Sequence, residues 1–330
     1  MSLANKKFIV FIFFLSMLTI FAGLRPVGFD SDSLHYASWV ELGPRVGTEP
    51  TFSLIVYFWD LFVDEDIIAR MMFISYAVIN MFILKLTLDN FTLKKTQALV
   101  LYFFLFYSML TLTQIRAGVG SVIFFWAVYD IIHRNIFTYM LKISLAISFH
   151  YMMVIFIPFY FLNPKKINKY FYIMIVPASM LLTLYPEQLK AVVEDNILQL
   201  LPAYIESKLL SYFSLEDVSS SIYNFHFLFI LMIYLLAILN VNRYKEQCFH
   251  IIFTKVLGVG ICLYLMLSFF PVLAVRVLYV IGLLTIILIP YLVGIFKESK
   301  IVLYSLFFMA FLLFLNTNVR NGLLHFEILF

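Results

Sequence analysis

The sequence predicts an all-α, polytopic integral membrane protein. It should be a helical bundle of about 9–11 transmembrane helices, with re-entrant or short-helix segments and one amphipathic outer loop. Two observations carry this. Of 330 residues, 63% are hydrophobic and only 13% charged, whereas a soluble domain is about half apolar and about a quarter charged. The apolar residues also run in stretches of spanning length. A span needs about 20 of them, so nine or ten would take up roughly 200 positions. Apolar surface on this scale left in water would drive aggregation, which excludes a secreted enzyme, a nucleic-acid binder or a disordered chain. One transmembrane domain is expected over residues 1–330, with outer loops at about 24–66 and 186–220. Cys248 and Cys262 share one apolar stretch and suggest neither a disulfide framework nor a metal site.

Taken in order, Lys6 and Lys7 precede an apolar run at 8–22. Many further spans follow and no small-x-small cleavage site ends the run, so it is the first span, with the N-terminus inside. A polar loop at 24–50 follows. Residues 51–63 are apolar but too short to cross, and Asp64-Glu65-Asp66 follow at once, so they should lie as a half-helix at the outer interface. Spans at 67–88 and 97–113 flank Lys94 and Lys95. Gln114-Ile115-Arg116 tops an outer turn, and 117–132 returns to His133-Arg134. Residues 137–162 begin and end beside basic inner clusters, so they must cross an even number of times. With about 13 helical residues on each side, each arm rises roughly 20 Å, which makes this a hairpin carrying His150 towards the outer face. Span 170–185 leads to an amphipathic segment at 186–220, and spans at 222–241, 249–270, 277–296 and 301–315 complete the chain.

The charges test this layout. Lysines mark the inner ends, in keeping with the positive-inside rule, while most of the eight arginines gather at the outer ends. Arg25, Arg116 and Arg276 each end a different span there. Arginine offers a planar fork of donors that fits phosphate, so the three could converge on one anionic group; each could equally be an interfacial side chain with its head in water. The first outer loop holds Asp30, Asp32, His35, Tyr36, Glu41 and Glu49. Paired carboxylates can do acid–base work or bind cations, although solvated loop acids are commoner. His150, between Phe149 and Tyr151, is a costly group for an apolar hairpin; it is either a hydrogen-bonded structural residue or a functional one. Gly-rich phosphate loops, HExxH and GxSxG are absent, which leaves nucleotide-driven transport and zinc or serine hydrolysis without support. No cofactor, metal or nucleic-acid partner is expected.

Gly23-Leu24-Arg25, Gly28-Phe29-Asp30-Ser31-Asp32, Tyr36 and Glu49-Pro50 resemble the first outer loop of the EpsG-like branch of Wzy-type O-antigen and capsular polysaccharide polymerases. Gln114-Ile115-Arg116, with Ser148-Phe149-His150 in a hairpin, resembles their second signature, and Ala274-Val275-Arg276 their third. The match runs over about residues 20–280 in order, with the Tyr212-Phe213 stretch included. Ala117 stands where many members carry glutamine, and Val277-Leu278-Tyr279 matches loosely. The resemblance implies a membrane glycosyltransferase-type polymerase in the bacterial inner membrane, with its site facing the periplasm. It would join oligosaccharide repeat units carried on undecaprenyl pyrophosphate, the donor and acceptor both lipid-linked, and it admits a chain-length-regulating protein partner. Arg25, Arg116 and Arg276, with Tyr36 and Glu49, would then hold the substrate pyrophosphate, and His150, Asp32 or Asp30 would sit near the transferring hydroxyl. A flippase or transporter of lipid-linked sugars, a glycan ligase and a multispan acyltransferase are the alternatives.

Overall fold

The computed structural model describes residues 3–43, 48–196, 223–244 and 248–329. Among these, every regular element is helical, and one isolated bridge pairs Asp30 with Leu324. Six helices are long and apolar enough to cross a membrane: Lys6–Leu24, Glu65–Phe91, Lys95–Thr113, Ile115–His133, Phe249–Met266 and Ser299–Arg320. A bent pair, Pro271–Gly282 with Thr285–Ile295, is a broken span or a re-entrant loop, which gives up to seven spans among the described residues. The remaining apolar sequence lies in four shorter helices, Ile136–Phe149, Tyr151–Phe161, Lys169–Leu182 and Phe225–Leu239. The chain is thus a polytopic helical membrane protein that contains both full-length and short helices. The segment expected to be amphipathic begins as Pro186–Asn196; its remainder, with Tyr212 and Phe213, lies outside the described residues.

In chain order the α-helices are α1 (Leu3–Leu24), α2 (Ser33–Glu41), α3 (Pro50–Asp60), α4 (Glu65–Phe91), α5 (Lys95–Tyr102), α6 (Ile115–His133), α7 (Ile136–Phe149), α8 (Lys169–Leu182), α9 (Pro186–Asn196), α10 (Phe225–Leu239), α11 (Cys248–Met266), α12 (Pro271–Gly282), α13 (Thr285–Leu292) and α14 (Ser299–Leu315). Local chemistry sets several of the starts. Pro50 opens α3 with its φ preset for a helix, and Glu65 and Asp66 complement the dipole at the start of α4. Asn135, Asn168 and Asn224 each cap a helix by accepting a hydrogen bond from the backbone N–H three residues on.

The chain forms two compact units, Met1–Tyr160 with Thr285–Phe330, and Phe161–Leu284. In the second, Tyr234 donates to the Tyr172 carbonyl at 2.5 Å, and Phe227 stacks on Tyr264 at 5.1 Å. Lys255 is buried there with its ammonium on the Asn163 carbonyl, 2.7 Å away.

The first unit contains two reversals. In the first, α5 continues as a π-helix over Phe103–Thr113, stops at Gln114, and turns directly into α6. The two arms run so close that a Cβ on Gly118 would lie 1.6 Å from the Leu110 carbonyl oxygen, so no side chain fits there. The last carbonyls of the π-helix have no partner within their own helix. Asn80 Nδ2 approaches that of Leu110 at 3.5 Å, and Arg25 Nη2 donates to that of Leu112 at 2.5 Å.

The second reversal is the short-helix hairpin expected from the basic residues at its ends. His150 leaves the helix with extended backbone (φ −156°, ψ 117°), and a 3₁₀-helix, Tyr151–Phe161, returns. Fourteen α-helical residues rise about 21 Å, and eleven 3₁₀ residues about 22 Å, so arms of unequal residue number match in length. Tyr139 accordingly donates to the Phe156 carbonyl at 2.6 Å, and Arg134 Nη1 to that of Tyr160 at 3.0 Å. His150 sits at the tip.

After α1 the chain turns through Gly28, whose φ of +92° disfavours any residue with a Cβ. A strap from the other end of the sequence holds this turn. His325 N–H donates to the Phe29 carbonyl at 2.8 Å, and the ring of Phe326 meets that of Phe29 edge-on at 5.8 Å.

Gly118→Ala forces α6 off the π-helix and should destabilise the protein by about 1–3 kcal/mol, the usual cost of overpacking. A melting temperature a few degrees below that of the parent, read on detergent-solubilised protein, is the expected result; an unchanged one contradicts the tight reversal.

Candidate functional site

Two buried ion pairs organise the polar end of the first unit. The first joins Arg25, just past α1, to Asp30 in the turn that follows. Arg25 Nε donates to Asp30 Oδ2 at 2.8 Å, and both side chains are fully buried. Its other two nitrogens donate to the carbonyls of Ala22 and Leu112, and the guanidinium lies 4.3 Å from the centre of the Phe73 ring. Asp30 Oδ1 accepts from the backbone N–H groups of Asp32 (3.2 Å) and Ser33 (3.0 Å), which lie at the start of α2. Every nitrogen of Arg25 and both oxygens of Asp30 are thus engaged with protein atoms. The pair caps one helix end and begins another.

The second pair is built around Glu49, the residue before α3. Its extended backbone (φ −63°, ψ 144°) turns the side chain inward. Oε2 accepts from Arg116 Nη1, and Oε1 from His150 Nδ1 at 2.7 Å. Glu49 is 1% exposed, while Arg116 and His150 keep 13% and 11% of their side-chain surfaces open. Arg116 lies in an aromatic box, 4.7 Å from the ring centre of Trp39, 5.4 Å from Tyr36 and 5.7 Å from Phe52. Guanidinium–ring contacts of this kind strengthen when water is excluded. Thr51 Oγ1 donates to the Ser148 carbonyl at 2.7 Å, which clips the first turn of α3 to the hairpin tip.

The electrostatics follow from these partners. Burial alone would raise the Glu49 pKa. The hydrogen bond from His150 and the charge of Arg116 overturn that and hold the carboxyl down at about 2. An ionised Glu49 can only accept, so His150 Nδ1 bears the proton and Nε2 is the basic nitrogen. This is the arrangement of a base oriented by a carboxylate.

The structure brings together Tyr36, Glu49, Arg116 and His150 from four separate stretches of sequence. Arg25 and Asp30 form their own buried pair, joined through the Leu112 carbonyl to the π-helix that leads into the Gln114 turn before Arg116. Asp32 stands half-buried just before α2, where its carbonyl accepts from Tyr36 N–H at 3.1 Å. Arg276 lies half-buried on α12 in the second unit. Three members of the neighbourhood escape a reading of the sequence: Trp39, Thr51 and Tyr76. Trp39 follows Tyr36 by three positions, the spacing that puts both on one helix face. Tyr76 precedes Asn80 by four, giving two buried polar groups along one face of a span. Thr51 leaves no such signal. Among the described residues, no three His, Cys, Asp or Glu side chains are grouped to hold a metal ion.

The EpsG family model matches residues 7–327. The chain is a member of the EpsG family. Searches of curated proteins and of solved structures returned no match. Membership and a polytopic helical membrane fold together fit a polysaccharide polymerase. In this EpsG-family protein the cluster at Glu49 includes residues from both the first and the second sequence signatures.

The pH dependence has a definite sign. The folded pKa of Glu49, about 2, lies below the ordinary value of 4.5. Its pairing therefore stabilises the fold fully above pH 4.5, and that contribution is lost as pH falls from 4.5 towards 2. Glu49→Gln removes this dependence and leaves a buried Arg116 without its counter-ion, at a cost of about 3 kcal/mol or more. Melting temperatures of parent and variant followed across this acid range should converge as pH falls; parallel curves would contradict the assignment.

Proposed function

We propose that this protein is a membrane glycosyltransferase-type polymerase. It joins oligosaccharide repeat units carried on undecaprenyl pyrophosphate, in the making of O-antigen, capsule or exopolysaccharide. The observation that carries the reading is the Glu49 carboxylate held between Arg116 and His150. In this reading His150 is a base oriented by Glu49, and the Arg116 guanidinium beside it is suited to phosphate.

In the proposed reaction the growing glycan is transferred from its lipid pyrophosphate to a hydroxyl of the next lipid-linked unit. The acceptor oxygen forms a bond to the anomeric carbon, and the bond from that carbon to the pyrophosphate oxygen breaks. His150 Nε2 takes the hydroxyl proton, and Glu49 stabilises the resulting imidazolium through Nδ1–H. Positive charge thus develops on His150 while negative charge develops on the departing pyrophosphate, and the burial of the site strengthens that attraction. Arg116 orients the headgroup. Arg25 and Asp30, fully engaged with protein atoms, brace the loop and act through position. Asp32 and Tyr36 border the site, and Arg276 enters the reading through its sequence motif alone. The lysine-rich inner ends support a cytoplasmic N-terminus and a reacting face on the outer side of the bacterial inner membrane. The lipid pyrophosphate bond drives the transfer, so no nucleotide is drawn at the site.

The test is complementation of a deletion strain, with protein level checked. Arg116→Ala, His150→Ala and Glu49→Ala should each abolish long polymer and leave single repeat units accumulating. Normal chain length in all three would overturn the reading.

A further inference from the structure

At the end of α1 away from Arg25, an open cleft of about 670 Å³ lies between the start of α1 and the turn joining α4 to α5. Lys6 and Lys7 line it from one side, and Lys94 and Lys95 from the other. None of the four takes part in the chemistry above. The span from Lys6 to Leu24, about 28 Å long, separates the cleft from Arg25.

Four ammonium groups around one cleft repel one another unless negative charge is supplied, and the protein supplies little. Asp89 pairs with Lys95 at 2.5 Å and with Lys85 at 2.7 Å, so two lysines share one carboxylate. Lys94 Nζ donates to the Pro290 carbonyl at 2.6 Å and lies 5.4 Å from the centre of the Tyr291 ring, both uncharged partners. Among the described residues no carboxylate pairs with Lys6 or Lys7, and both side chains are exposed. The cleft is therefore short of negative charge.

Its walls narrow the kind of anion. Phe8 and Leu93 line the cleft beside the ammonium groups, 57% and 97% exposed. Val10 extends the apolar surface about one helical turn into the span. A free phosphate would meet the lysines and leave these side chains uncovered. A diacyl phospholipid meets both, with headgroup oxygens among the lysines and an acyl chain on the apolar wall. A zwitterionic headgroup brings its own cation to a place crowded with cations, so the cleft favours a headgroup of net negative charge.

We propose that this cleft binds an anionic phospholipid, with the headgroup between Lys6, Lys7 and Lys94 and an acyl chain along Phe8 and Val10. The bound lipid bridges the start of α1 and the turn between α4 and α5, two segments remote in sequence. The site is separate from the Glu49 cluster and does not rest on the polymerase reading.

Native mass spectrometry of the purified full-length protein, titrated with phosphatidylglycerol or phosphatidylcholine, reads the binding. The parent should hold phosphatidylglycerol at least fivefold more tightly, about the effect of one lysine near an anionic lipid surface. Lys6→Gln with Lys7→Gln should lose that preference. Lys165→Gln with Lys166→Gln removes the same charge from another exposed pair and should keep it. Leu93→Glu leaves every lysine in place and sets a carboxylate in the cleft at an almost fully exposed position. It too should lose the preference, and it tests the site even if the N-terminal variant fails to insert. Equal retention of the two lipids by the parent overturns the proposal, as does an unchanged preference in Leu93→Glu. Equal loss in both double variants overturns it in favour of a diffuse coat of lysines. Displacement of the lipid by inorganic phosphate at matched ionic strength overturns it in favour of a site for the free anion.

Discussion

A carboxylate removed from water is tolerable only if positive charge and hydrogen-bond donors meet it, and the polar end of the first unit is arranged around that requirement at Glu49. Arg116 and His150 meet it from 67 and 101 residues further along the chain. Three separate pieces of backbone must therefore reach the same depth. Pro50 starts α3 directly behind the carboxylate. The turn at Gln114 lifts Arg116 to it, which only a glycine at position 118 allows, and the hairpin presents His150 at its tip. Changing the rise of any one of these would leave a charge buried without a partner, which costs far more than the pairing contributes.

The two arginines show how one residue type serves two purposes in a low-dielectric setting. Each nitrogen of Arg25 is matched with a protein oxygen, and one of them closes off a carbonyl that π-winding leaves at a helix end. Arg116 shares one nitrogen with Glu49, rests among three aromatic rings, and keeps some exposure. The first holds the backbone where the second can act. Span-end arginines that look equivalent in sequence therefore differ in how many of their nitrogens are engaged with protein atoms.

Much of the fold is legible in the sequence because membrane solvation leaves few options: apolar runs become helices. The hairpin with His150 at its tip follows from two basic clusters and simple rise arithmetic. The division into long and short helices is less legible. It depends on π- and 3₁₀-winding, which changes the rise per residue without altering composition. For the cluster, Tyr36, Glu49, Arg116 and His150 each stand out singly as a polar residue in an apolar chain. Their convergence does not, since no local spacing relates positions so far apart. The Arg25–Asp30 pair is hidden for another reason. A loop carboxylate looks solvated until the turn at Gly28 folds it back under the helix end. Tyr76 is one tyrosine among 21, and only its neighbours distinguish it.

The strap across Phe29 and Asp30 bears on the order in which the protein can be completed. Its two sides are Phe29–Asp30 and Leu324–His325, so nearly the whole chain must be synthesised between them. The loop carrying Arg25 and Asp30 emerges early in translation and waits, with one wall missing, until α14 has entered the bilayer. Because domains generally fold as units as synthesis proceeds, the ribosome will have made almost every span before this loop can take its final form. A chain interrupted before residue 324 would carry all the chemistry of the cluster around Glu49 and lack the piece that closes its supporting loop.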